Sequence, residues 1–184
     1  MQQETKRTLL ITLWWSAAGV LAAGALWWWF FFSQFAFYHD NEYKFSVKYL
    51  KSWEKIEHSQ GTAVIFRRPK ETALDIFEPN VNITVQEVPA KIATLSSFSE
   101  TITKQMTVVF KKNIHILEDK NFTFAHRGGH RLILEAPKPD NLKLMFVWTI
   151  KGPFAYIFTF IAKTDQYKAL SPNIDQMIES FEFQ

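Results

Sequence analysis

The chain has no cysteine, which removes any disulfide framework and any thiolate nucleophile without fixing the redox compartment. Charge of one sign is also lacking. The 184 residues carry 21 Lys and Arg against 18 Asp and Glu, and setting aside Glu4, Lys6 and Arg7 near the N-terminus leaves 19 against 17. So even a balance gives no electrostatic basis for tracking a phosphate backbone. The pairs Arg67-Arg68 and Lys111-Lys112 are too short for a basic patch and have no aromatic interleaving. Gly128-Gly129 stands outside any GxGxxG or Walker pattern. No serine occupies a nucleophile-elbow motif, and Asp40, Asp119 and Asp140 fall in turn-like or polar segments. The expectation is a protein without enzymatic chemistry, resident cofactor, metal or nucleic-acid partner.

One absence is local and more informative. From Thr8 to Tyr38 there are 31 residues without Asp, Glu, Lys, Arg or His, and five of the seven Trp fall there. A helix over Leu9–Phe32, 24 residues, would reach about 36 Å at ~1.5 Å per residue, enough for a hydrocarbon core of roughly 30 Å. Trp14 and Trp15 then lie toward one interface. Trp27, Trp28 and Trp29, followed by Phe30, Phe31 and Phe32, lie toward the other. Gly19, Ala22 and Ala23 offer a small-residue face for close helix approach. A domain of this size has nothing to wrap so many apolar residues on every face, so the segment is expected to span a membrane.

A cleavable signal peptide is the rival reading, because Lys6 and Arg7 form a positive start and Leu21-Ala22-Ala23-Gly24-Ala25 offers small residues to a peptidase. A signal core of ~7 to 15 residues ends at its small residues. Here the apolar run continues from Leu26 through Phe32, which favours retention. Lys6 and Arg7 precede the segment and the near flank His39-Asp40-Asn41-Glu42 is acidic, so positive charge inside places the following domain outside the cytoplasm. The expected organisation is a cytoplasmic N-terminus at 1–8, an anchor and interface at 9–38, a short tether at His39 to Glu42, and one extracytoplasmic domain over 39–184.

Within that domain Tyr43, Phe45, Val47 and Tyr49 alternate with Lys44, Ser46 and Lys48 as in a half-buried strand. Trp53 to His58 and Thr62 to Phe66 suggest a hairpin around Ser59-Gln60-Gly61, and Val81, Ile83 and Val85 mark another strand. Leu95, Phe98, Ile102, Met106 and Val109 recur at three or four, predicting a helix over Leu95 to Lys112, with Ser97 and Glu100 at capping-box spacing. Four strands follow: Ile114 to Phe124, His130 to Ala136, Leu142 to Ile150 and Phe154 to Ala162. Their turns are expected at Arg127-Gly128-Gly129, Pro137 to Asn141 and Gly152-Pro153. The last two strands are apolar on both faces, which calls for a central antiparallel pair covered on both sides. Ser171 and Pro172 suit the start of a closing helix that buries Ile174, Met177 and Phe181. The fold class is therefore α+β, a central antiparallel β-sheet flanked by helices on both sides, preceded by one transmembrane helix.

Tyr43-Lys44-Phe45-Ser46-Val47-Lys48-Tyr49, then Trp53, Gly61, Phe66 and Asn82-Ile83-Thr84-Val85, resemble the start of PsbP-like domains. Gly152-Pro153-Phe154-Ala155-Tyr156-Ile157-Phe158-Thr159-Phe160-Ile161-Ala162, Tyr167 and Ile178-Glu179-Ser180-Phe181 resemble their end. Tyr49 is followed by Leu50 where that pattern has a proline, which leaves the subfamily open. The family includes an extrinsic photosystem II subunit, photosynthetic assembly factors and bacterial envelope proteins of the DcrB type. The resemblance implies the α-β-α sandwich just described. It carries no metal-binding residue onto this chain.

Two clusters remain. His126 and His130 flank a glycine pair, but two imidazoles without a third ligand fall short of a metal centre. Glu71, Asp75 and Glu78 lack the dense oxygen-ligand spacing of a calcium loop. Function is thus expected to follow from the anchor. The expectation is an accessory or assembly subunit whose partners are integral membrane proteins and the lipid bilayer of a bacterial cytoplasmic membrane. The alternative is an anchored envelope module for a small ligand or cell-wall component.

Overall fold

The computed structural model describes residues 34–184 apart from 60, 71, 73–76, 93, 110–113 and 138–140, together with positions 20 and 24. The chain divides into two units, Met1–Ala36 and Phe37–Gln184. Trp14, Trp15, Trp27 to Trp29, Phe30 to Phe32, Gly19, Ala22 and Ala23 lie outside the described residues. Among the described residues no helix is long and apolar enough to cross a membrane.

In chain order the elements are β1 (Phe35–Asp40), β2 (Phe45–Leu50), β3 (Glu54–Glu57), β4 (Val64–Arg67), β5 (Asn80–Glu87), a 3-10 turn (Ala90–Ile92) and α1 (Leu95–Val109). They continue with β6 (His115–Phe124), β7 (Arg127–Ala136), β8 (Leu142–Lys151), β9 (Phe154–Lys163), α2 (Thr164–Glu179) and β10 (Glu182–Phe183). A seven-stranded sheet has the order β3-β4-β5-β9-β8-β7-β6, and a three-stranded sheet the order β1-β2-β10. In the large sheet every pairing is antiparallel.

The doubly apolar strands are the central pair. Met145 faces Phe160 and Val147 faces Phe158 across one side, while Phe146 faces Thr159 and Trp148 faces Ile157 across the other. Residues 144–149 are all buried. On one side Phe98 and Ile102 of α1 pack on Leu132, Leu134, Phe146 and Trp148. On the other, Tyr167 of α2 lies 5.1 Å from the Phe160 ring, and Ile174 and Met177 are fully buried. The small sheet covers that same side further along, where Phe45 stacks on Phe181 at 5.0 Å and Tyr49 on Phe66 at 4.6 Å. Each such phenylalanine contributes roughly 1.5–3 kcal/mol by leaving water.

The expected sandwich therefore holds at its centre and departs from the scheme at two places. The α2 side is shared with a second sheet. On the α1 side the helix leaves β3 to β5 open, with a hollow of about 380 Å³ bordered by Ile65, Arg67, Asn80 and Asn82.

Several boundaries differ from the sequence expectation for local physical reasons. His39 and Asp40 end β1 rather than form a tether. Asp40 is only 2% exposed and accepts hydrogen bonds from the Tyr38 hydroxyl and the Glu42 and Tyr43 amides. Burial and the Asp40 carboxylate together push the Tyr38 hydroxyl well above the usual tyrosine range. Thr94, not Ser97, caps α1, its Oγ1 accepting the Ser97 amide at 3.2 Å. Glu100 instead pairs with Lys104 at 2.6 Å, one turn on.

Helix α2 begins at Thr164, whose amide reaches the Asn141 carbonyl at 2.9 Å, so Pro172 sits inside it. Proline brings no amide to the Lys168 carbonyl. The Ser171 hydroxyl supplies a donor there, at 3.2 Å.

The β6–β7 turn falls on Ala125-His126, both at positive φ, as a two-residue primed turn demands. Gly128 and Gly129 lie within β7. A Cβ on Gly129 would stand 2.7 Å from the Trp148 carbonyl oxygen and 3.0 Å from Phe124 Cβ, whereas one on Gly128 would meet only Leu95 Cδ2 at 3.9 Å. Gly129→Ala is therefore expected to destabilise the chain by about 1–3 kcal/mol through overpacking. Gly128→Ala should stay within roughly 0.5 kcal/mol. Urea unfolding of the two variants checks the contrast, and equal effects would contradict it.

Candidate functional site

A hollow of about 650 Å³ lies between the flank of α1 and the β6–β7 hairpin. Leu95 stands at one end of its helix wall, which continues with Ser96, Ser99, Glu100, Thr103 and Lys104. Their spacings of three and four place them on one stripe, beside the stripe that Phe98 and Ile102 bury. The sheet wall is Asp119, Asn121 and His130. A second hollow of about 450 Å³ shares Leu95 and Asn121 with the first and runs over Gly128 and Gly129.

Four elements are tied together at the base of the cleft. The Trp148 indole donates to Ser99 Oγ at 2.9 Å, joining β8 to α1. The His130 ring stacks on Trp148 with centroids 4.9 Å apart. Its Nε2 meets Asp119 Oδ1 at 2.5 Å, joining β7 to β6. The Ser99 hydroxyl thus serves an indole, and among the described residues no hydrogen bond links it to His130. The nucleophile–base contact that hydrolytic serine chemistry requires is missing there.

Below the same hairpin, on the opposite face, Arg131 grips Glu118 with two nitrogens and lies over Phe122 at 4.6 Å. Arg131, then Lys120, hold the Glu118 carboxyl below the usual carboxylate range.

His126 and His130 do not share a site. His126 sits at the exposed turn, 4.0 Å from Glu182, while His130 is committed to Asp119 and Trp148. Among the described residues no group of three His, Cys, Asp or Glu is placed to hold a metal ion. Of the acidic loop residues, Glu71 and Asp75 lie outside the described residues and Glu78 pairs with Arg67 at 3.3 Å. The sequence did not mark Ser99 or Trp148 as site residues, and it set Asp119 aside as part of a turn-like or polar segment, whereas Asp119 lies within β6. With the turn set at Ala125-His126, Asn121 faces His130 and Asp119 faces Leu132, which makes His130 and Asp119 diagonal neighbours. Turn placement was the missing signal.

A seven-stranded antiparallel sheet with helices on its two faces and a small sheet beside one of them defines the class, an α+β domain with an open polar cleft. The PsbP family model matches residues 33–183, so the chain belongs to the PsbP family. No curated protein matches it. Among solved structures, cyanobacterial PsbP (CyanoP) from Synechocystis sp. PCC 6803 is 14% identical, with TM-score 0.62 over 82% of this chain and 93% of that one. LpqN, involved in cell envelope biogenesis of Mycobacterium tuberculosis, is 10% identical, with TM-score 0.56 over 82% of this chain and 91% of that one. At such identities the likeness is one of fold.

Two outcomes are expected. Ser99→Ala leaves the buried Trp148 indole without its acceptor and should cost about 1–3 kcal/mol, with a change in near-ultraviolet circular dichroism. Ser96→Ala should do neither. Because the folded state lowers the Glu118 pKa, its contribution is present above the ordinary glutamate value of ~4.3 and is lost as pH falls through the folded value below it. Glu118→Gln should accordingly be less stable than the parent at pH 7, with the gap closing on acidification. A gap that widened toward low pH in urea titrations would refute the assignment.

Proposed function

We propose that the chain is a non-enzymatic, membrane-anchored accessory or assembly subunit of a larger membrane protein complex, its PsbP domain docking on the extracytoplasmic face. The observation that carries this reading is the 31-residue charge-free run from Thr8 to Tyr38. Trp27 to Phe32 there is heavier in aromatic bulk than a lipid belt requires. Lys6 and Arg7 before the run favour a cytoplasmic N-terminus in a bacterial cytoplasmic membrane. Anchor aromatics and the Gly19, Ala22 and Ala23 face would meet integral membrane partners. The domain would meet their loops.

The open cleft beside α1 favours a second reading, an anchored envelope module that binds a small ligand or cell-wall component. Envelope biogenesis, the process in which LpqN is involved, agrees with either reading.

Purification of the full chain in mild detergent followed by mass measurement separates them. The accessory reading expects co-purifying integral membrane proteins that are lost when Trp27, Trp28 and Trp29 are replaced by Leu. A strictly monomeric species without such partners would refute it.

A further inference from the structure

The cleft between α1 and the β6–β7 hairpin is more than a dent in the surface, because its two hollows join into a groove. From Leu95 to Lys104 its helix wall runs ten residues, whose successive rises of ~1.5 Å add up to about 14 Å. That length matches roughly four residues of extended chain at ~3.3 Å each. Gly128 leaves one end of the floor bare. Any larger side chain there would project toward Leu95, since even a Cβ comes within 3.9 Å of its Cδ2.

The lining carries unspent polar capacity. The side chains of Ser96, Thr103, Asn121 and Thr123 make no hydrogen bond to other described residues. Each can both donate and accept, which suits the alternating N–H and C=O groups of a polypeptide. Charge adds a direction. Glu100 and Lys104 neutralise each other at the rim, whereas Asp119 meets the His130 ring and, among the described residues, has no lysine or arginine partner, with its side chain 39% exposed. Beside the groove, β6 is the outermost strand of the large sheet, with no further strand paired to it among the described residues. A segment belonging to a larger protein can therefore lie across it without threading its ends.

We propose that this groove receives an extended segment of about four residues from a protein partner, with a basic side chain of that segment directed at Asp119. The inference deepens the accessory-subunit reading and rests on it, naming the surface that would meet a partner's loop.

The test uses the full chain in detergent micelles and two capped tetrapeptides, acetyl-Ser-Lys-Ser-Ala-amide and its Glu counterpart, with maltose as a neutral polyol probe. Amide resonances of Asn121, Gly128 and His130 report binding. The lysine peptide should shift them, the glutamate peptide and maltose should not, and affinity should fall at least tenfold in Asp119→Asn and in Gly128→Leu. Asp119→Asn retains an acceptor for His130, and Gly128→Leu alters an exposed strand position, so either variant suffices if the other fails to fold.

Shifts caused equally by maltose would overturn the proposal in favour of a glycan site. No shift from any probe, or undiminished binding by both variants, would also overturn it. If the wild-type chain co-purifies membrane partners and both variants do so equally, the accessory reading stands and the groove assignment falls. A wild-type chain that co-purifies nothing removes both.

Discussion

Everything in the domain is arranged around the pairing of β8 with β9. Ten residues of each strand are matched without interruption, from Leu142 opposite Lys163 to Lys151 opposite Phe154. Both faces of the pair are apolar, so neither can be left to water. That constraint requires a cover on each side, and the chain meets it asymmetrically. One helix with its short lead-in turn covers one face. A helix, a second sheet and an aromatic cluster around Phe181 cover the other, where Phe45, Phe124 and Tyr156 all lie within 6.4 Å of the Phe181 ring.

The cleft follows from that asymmetry. A single helix is about 10 Å wide and cannot roof a seven-stranded sheet whose strands are spaced ~4.8 Å apart. Helix α1 sits over the inner strands, leaving uncovered margins on either side. At the β6–β7 margin polar residues line both walls, and Trp148 anchors the base, fully buried yet satisfied through Ser99. The polar bonds at the base thus fix the distance between helix and sheet, which a purely apolar contact would leave freer to slide.

Most of this architecture was legible in the sequence because period and burial agree. Phe98 and Ile102 advertised a helix face, and the unbroken apolarity of Leu144 to Val147 advertised a doubly covered strand. What escaped notice depended on chain conformation that side-chain type does not announce. Ala125-His126 lacks the usual Asn-Gly signature of a primed turn, so the neighbouring glycines attracted the turn assignment although Gly129 is needed for close packing. Pro172 looked like a helix start because its missing donor is normally tolerated only there. Strand β1 was hidden because Phe35 to Tyr38 continues an apolar run. The site was hardest of all, since Trp148 and Ser99 meet across 49 residues of sequence and no local pattern links them. The PsbP resemblance, by contrast, rested on residues at the two ends of the domain, and the family match spans both.

The open edge at β6 carries a consequence for life at high concentration. Ten residues of exposed strand edge invite copies of a protein to zip together. Here the ladder slips between Ile116 and Glu118, and Glu118, Asp119 and Lys120 bring three consecutive charges to the middle of the strand. A kink and a cluster of charge make a neighbouring copy a poor template match. The edge that leaves the groove accessible from the side is thus protected against aggregation by the same short segment that supplies Asp119.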